Sequence, residues 1–208
     1  MLAVLTRITL IFACATAATA AFAQPECSGL PPGQFGPFDY RTQRGKLAVV
    51  ERNHFTPEVE QLVRGRSTSF IESDIQFVLT YYPNHYRALD ALARLSLRKR
   101  TPKLQHAALP TECYFVNAMR FAPDDAKVRL TYGVYLARLG KPAAALAQFQ
   151  EAEKLGATDA NTYYNLGLMH FEMKNYGEAV EYAKKAYDLG FPLPGLRDKL
   201  KQAGKWNQ

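Results

Sequence analysis

The side chains of this 208-residue chain best suited to metal or nucleophilic chemistry are four histidines, His54, His85, His106 and His170, and three cysteines, Cys14, Cys27 and Cys113. Zinc and related metals need such ligands clustered at short spacings, and neither Cys-x-x-Cys nor His-Glu-x-x-His occurs. A Gly-x-Ser-x-Gly nucleophile turn, a phosphate loop and a Gly-rich dinucleotide turn are equally absent. One grouping remains: His54, Glu58 and His85, with Asn84 beside the last, fall around two neighbouring turns and could serve a metal- or small-ligand-dependent enzyme subunit. After Pro83, however, Asn84 and His85 are also suited to capping the helix that begins near Arg87 and satisfying its backbone groups. The expectation is a protein that is not an enzyme and carries no cofactor and no metal.

Twenty-six Lys and Arg against 19 Asp and Glu give a net charge of +7, which favours partners with acidic groups. The first residues read as an address. Met1 to Arg7 carries one positive charge, Ile8 to Ala20 is apolar or small, and Ala21-Phe22-Ala23 offers the small residues of a cleavage site. A signal peptide over 1–23, cut before Gln24, is expected to send the chain to the periplasm or the outside. The apolar run is short of the roughly 20 residues that span a bilayer. Cys14, after Ile11-Phe12-Ala13, gives an alternative, a lipid-anchored protein in contact with a membrane. Export also argues against nucleic acid as a partner.

Cleavage would leave Cys27 and Cys113, an even pair in an oxidising compartment and so a candidate disulfide. The alternative is that Cys113 is a small buried hydrophobe on a helix face.

Positioning these groups is the work of a repeat. Laying 126–159 over 160–193 matches Tyr132 with Leu166, Gly133 with Gly167, Ala145 with Ala179, Ala152 with Ala186, Leu155 with Leu189 and Gly156 with Gly190, a period of 34. Each copy is two helical stretches separated by a break, Gly140-Lys141-Pro142 in one and Lys174-Asn175-Tyr176-Gly177 in the other. Tyr163-x-x-Leu166-Gly167 followed by Ala179, Ala183 and Ala186 resembles the tetratricopeptide repeat, and Gly133, Ala145, Phe149 and Ala152 repeat it. Small residues at these positions allow two helices to approach closely, with Leu166 and Phe149 filling the gaps.

One helix pair cannot bury its apolar face, so further units are expected upstream. The reading is an all-α, right-handed solenoid of antiparallel helix pairs. Its parts are an irregular strap over 24–51, a degenerate unit over 52–85, a unit over 86–125 with an inserted loop at 99–110, clear units over 126–159 and 160–193, and a capping helix in 194–208. Thr56-Pro57-Glu58 begins the first helix of the degenerate unit, with Ser69 to Tyr82 as its second. Leu196, Leu200 and Trp206 cover the last repeat. Gly36 to Arg41, Val50 to Glu60 and Tyr82 to Leu89 are similar to a group of exported bacterial repeat proteins, which implies an architecture and a compartment but no reaction.

A stack of helix pairs curves and lines its inner face from the first helix of each unit. The inward set is expected to be Arg87, Asp90, Arg94 and Arg98 from the second unit, Lys127, Leu130, Thr131, Val134 and Arg138 from the third, and Asn161, Tyr164, Asn165, Leu168 and Phe171 from the fourth. Such grooves in the resembled family bind peptides or protein segments. The cations would hold carboxylates of an envelope protein, and Tyr164, Leu168 and Phe171 would anchor an apolar side chain.

Overall fold

A computed structural model describes residues 27–30 and 33–206. The expected leader, its cut before Gln24 and the candidate lipidation site at Cys14 lie outside the described residues.

Helices fill the described chain. Four short elements come first: α1 (Tyr40–Gln43), a 3-10 turn (Arg44–Leu47), α2 (Ala48–His54) and α3 (Pro57–Glu60). Then follow α4 (Ile71–Tyr81), α5 (Tyr86–Lys99), α6 (Thr111–Phe121), α7 (Ala126–Arg138), α8 (Pro142–Lys154), α9 (Ala160–Glu172), α10 (Tyr176–Asp188) and α11 (Gly195–Gln202). The pairs α5/α6, α7/α8 and α9/α10 lie within the three downstream units, and α11 packs on both α9 and α10.

Several helix starts have a visible cause. Asp125 accepts from the Lys127 and Val128 amides, and Asp159 from those of Asn161 and Thr162, so carboxylates cap α7 and α9 where orphan N–H groups point. Pro142 and Pro57 occupy first-turn positions that need no donor. Gly140, Gly156 and Gly190 follow α7, α8 and α10 at φ of 70°, 93° and 83°, the left-handed turn that ends a helix.

The close approaches fall at the two repeat glycines. A Cβ on Gly133 would sit 2.6 Å from the Phe149 ring, and one on Gly167 would sit 2.6 Å from Leu196 and 3.3 Å from the Ala179 carbonyl. Backbone-to-backbone proximity, expected at both, is therefore found at Gly167, whereas Gly133 makes room for an aromatic ring. One continuous core runs from Cys27 to Met169, and a smaller one joins Ala179 and Ala183 to Leu196 and Leu200. Trp206 closes the second by an edge contact with Tyr187, ring centres 6.1 Å apart.

Two expectations need correction. The helix begun by Thr56-Pro57 lasts one turn, because Leu62 takes a φ of 62° and the chain then runs without helix through Gly65 and the Ser/Thr-rich 67–69. A Cβ on Gly65 would lie 2.4 Å from the Thr68 carbonyl, so this bend admits no side chain there. The upstream helix that packs most extensively on α4 is α2 and not α3, and α2 begins inside the segment read as an irregular strap; that segment is helical from Tyr40 onward.

The extended part of the strap is tied down by chemistry. Cys27 and Cys113 form a disulfide across 86 residues. Asn117 donates to the Ser28 carbonyl at 3.0 Å, Arg120 to the Cys27 carbonyl at 2.8 Å, and the Phe38 amide to the Tyr81 carbonyl at 2.8 Å.

Candidate partner-binding groove

The first helices α5, α7 and α9 lie side by side and enclose an open cavity of about 270 Å3. From α5 come Tyr86, Arg87 and Asp90, from α7 Leu130, Thr131 and Val134, and from α9 Asn161, Thr162 and Asn165; Glu60 of α3 closes one end. Thr131 and Asn165, 34 apart, occupy the same place on successive first helices. Leu130 and Val134 are half-buried against the main core, giving the floor an apolar strip. Thr131 turns its hydroxyl back to the Lys127 carbonyl at 2.7 Å, and the side-chain amides of Asn161 and Asn165 are among the polar groups lining the cavity.

Of the expected inward residues, Arg87, Asp90, Leu130, Thr131, Val134, Asn161 and Asn165 meet at this cavity. The other cations do not form the free basic row that the sequence suggests. Arg87 is held by Glu60 through Nε at 2.7 Å and a second, parallel contact. Arg94 pairs with Asp90 at 2.7 Å and donates to the Glu60 carbonyl at 2.9 Å, while Arg98 donates to the Leu62 carbonyl at 3.1 Å. The cause is the one-turn α3, which lays an acid and two carbonyls along α5; Val59 and Leu62 bury themselves beside it. Lys127 sits 4.8 Å over the Tyr86 ring, and Arg138 faces a different cavity beside the 100–110 insertion.

The aromatic end is also occupied. Tyr164 stacks on Phe191 with ring centres 3.9 Å apart, the Lys199 ammonium lies 5.4 Å over Phe171, and Leu168 packs beside them against Leu196 and Leu200. Phe191 and the capping helix together fill the place that a partner's side chain was expected to take. The groove left open is central, amide-bearing and apolar.

The His54, Glu58 and His85 grouping is not assembled. His54 Nδ1 lies 2.8 Å from Asp74, with its ring stacked on Phe77. His85 is fully buried: its Nδ1 accepts from the Ala88 amide, so the proton sits on Nε2, which donates to Glu51 at 3.1 Å. Glu58 faces Arg64 at 3.9 Å. The three fall at two turns in the sequence, and each is turned to a separate partner. No group of three or more His, Cys, Asp or Glu able to hold a metal occurs among the described residues.

What the residues around His85 build instead is a docking network for the strap. The Tyr40 ring stacks on His85 at 3.9 Å, and its hydroxyl reaches Glu51 at 3.0 Å. Asn84 accepts from the Tyr40 amide and donates to Asp39 and Asp125 at 2.8 and 2.9 Å. The His85 contact, aided by Arg44 and Tyr40, holds the Glu51 carboxyl at about 2, and burial pushes the His85 imidazole below its usual 6.5. Sequence reading missed Tyr40, Glu51, Glu60 and Asp74, since their partners are 20 to 45 residues distant and no periodic signal marks them.

Residues 160–190 match the model of the tetratricopeptide repeat. A human protein O-mannosyl-transferase, TMTC3, is 28% identical over 99 residues, 48% of this chain. The match spans 10% of that relative, whose transferase activity belongs to the larger protein. Among solved structures, Pseudomonas aeruginosa pilF superposes with a TM-score of 0.54 at 20% identity, over 79% of this chain and 70% of that one. MamA of MSR-1 gives a TM-score of 0.47 at 18% identity over 69% and 74%. The first of these likenesses bears on the fold alone. Residues 160–190 thus carry a tetratricopeptide repeat, 126–159 is its 34-residue copy, and the chain folds as an all-α solenoid of such helix pairs.

Proposed function

We propose that this protein is a non-catalytic scaffold of the bacterial cell envelope that binds a segment of another protein in the cavity between α5, α7 and α9. The repeat fold supports protein binding in general, and the observation that carries the location is the open 270 Å3 cavity with Asn161 and Asn165 over an apolar strip. Side-chain amides at helical spacing can both donate to and accept from a partner's main chain, while Leu130 and Val134 take an apolar side chain. Because Arg87, Arg94 and Arg98 already have acceptors within the chain, the favoured segment is polar or neutral in the centre. Acidic groups would meet Lys127 at the rim. Export to the periplasm is supported by the Cys27–Cys113 bond, which suits an oxidising compartment.

The test is pull-down from envelope extract with the parent protein and with an Asn161→Arg/Asn165→Arg variant that fills the cavity from exposed or half-buried positions. A partner retained by the parent and lost from the variant, at unchanged thermal midpoint, is the expected result. Equal recovery by both would place binding elsewhere.

A further inference from the structure

A second cavity, of about 470 Å3, lies between the end of α5, the 100–110 insertion and the last turn of α7. The insertion belongs to one unit only, and its wall is pinned. The Thr111 amide donates to the Pro102 carbonyl at 2.8 Å, and the Ser96 hydroxyl to the Thr101 carbonyl at 2.6 Å. Pro102 and Pro110 stiffen the two arms where they line the space. Leu97, Leu139 and the prolines give it an apolar surface, and Leu139 is 41% exposed there although large and aliphatic.

Three cations surround that surface. Lys141 pairs with Glu112 at 3.3 Å, a carboxylate that also takes the Tyr132 hydroxyl at 3.1 Å. Arg100 and Arg138 make no ion pair with any described residue, in contrast to Arg87 and Arg94 in the groove. Arg100 is further held at φ 52°, ψ 41°, a left-handed position filled by Gly140 in the corresponding turn after α7. A guanidinium is thus kept at a corner of the cavity where the backbone alone favours glycine.

We propose that this cavity binds a small organic acid, with the carboxylate between Arg100 and Arg138 and the apolar body against Leu97, Leu139 and the two prolines. Two guanidinium groups offer paired, charge-assisted donors to one carboxylate. The volume is that of a small-molecule site, about 300 to 1,000 Å3. This site is separate from the groove and stands or falls independently of the scaffold reading.

Calorimetric titration with 4-phenylbutyrate, its amide, and acetyl-glycyl-leucine tests it. The acid is expected to bind, and the amide to bind at least about tenfold more weakly. Arg100→Gly suits the left-handed backbone and Arg138→Gln is exposed, so the double variant keeps its thermal midpoint. It is expected to lose at least about tenfold in affinity for the acid. Tighter binding of acetyl-glycyl-leucine than of phenylbutyrate would assign the carboxylate to a peptide terminus, and weaker binding to a free acid; both support a carboxylate site. Equal affinity for acid and amide overturns the proposal. So does unchanged affinity in the double variant, or no heat from any probe up to about 10 mM.

Discussion

The N-terminal half, from Cys27 through α6, and the C-terminal half, from α7 through Trp206, are both helix pairs, yet different forces hold them. In the C-terminal half the repeat itself suffices: carboxylate caps at Asp125 and Asp159, left-handed glycines after α7, α8 and α10, and Gly and Ala at the contacts. Its long-range polar bonds are few and peripheral, such as Tyr182 to Glu153 and Lys199 to Glu172. The N-terminal half has one disulfide and a buried network of Tyr40, Glu51, Asn84 and His85 joining segments more than 30 residues apart. Where the sequence departs from the repeat, specific long-range bonds take over. They also consume groove charge, because α3, too short to be a repeat helix, places Glu60 on Arg87.

The largest expected break in this comparison is the disulfide. Cys113→Ser, or reduction, should cost about 4 to 5 kcal/mol if the loss follows chain entropy for so long a loop. Amide exchange should rise around 27–54 and stay slow in α9 and α10. Uniform acceleration would mean that the halves do not differ in what holds them. Next, Leu196→Ala removes a fully buried side chain that joins α11 to α9 and α10, at about 3 kcal/mol. Its effect on exchange should be confined to the smaller core. Gly133→Ala should cost about 2 kcal/mol by forcing the Phe149 ring aside, measured by urea denaturation. An unchanged midpoint would show that the ring moves freely. Asp159→Ala should cost about 1 kcal/mol as a lost cap of α9.

Acid separates the halves more gently. His85 and His170 are both held by burial below their usual 6.5, so the unfolded chain takes up protons first and stability falls as pH drops through about 6.5. Glu51 and Asp39 are held at about 2, Glu51 chiefly by its bond to His85 and Asp39 by its bond to Arg41. Their contribution is present above the ordinary values of 4.5 and 3.8 and is lost as pH falls toward 2. A pH series of exchange rates should show the first loss in both halves and the second chiefly at α1 and α2. A rise in protection on acidification would contradict the assignment.

The repeat half was legible because its signals are local or periodic: the 34-residue match, Gly-Lys-Pro at one break, and Pro194-Gly195 before the capping helix. The Cys27–Cys113 pair was legible as the even count that the expected leader would leave. The groove was legible as a face but not in its charge. Arg87, Arg94 and Arg98 share one helix side, yet nothing in their spacing reveals that α3 ends after one turn and turns its acid and carbonyls toward them. Likewise Tyr164 and Phe171 read as open anchors because neither Phe191 nor Lys199 of α11 is marked in the sequence as the group that covers them. Partners far apart in sequence leave no period to read.

The most direct test of the groove is site-specific photocrosslinking in living cells, with the reactive group at Asn165 inside the cavity and, separately, at exposed Lys184 on α10. The account predicts one strong protein adduct from position 165 and none of the same mass from 184. An adduct from 184 alone, or the same adduct from both, would contradict it.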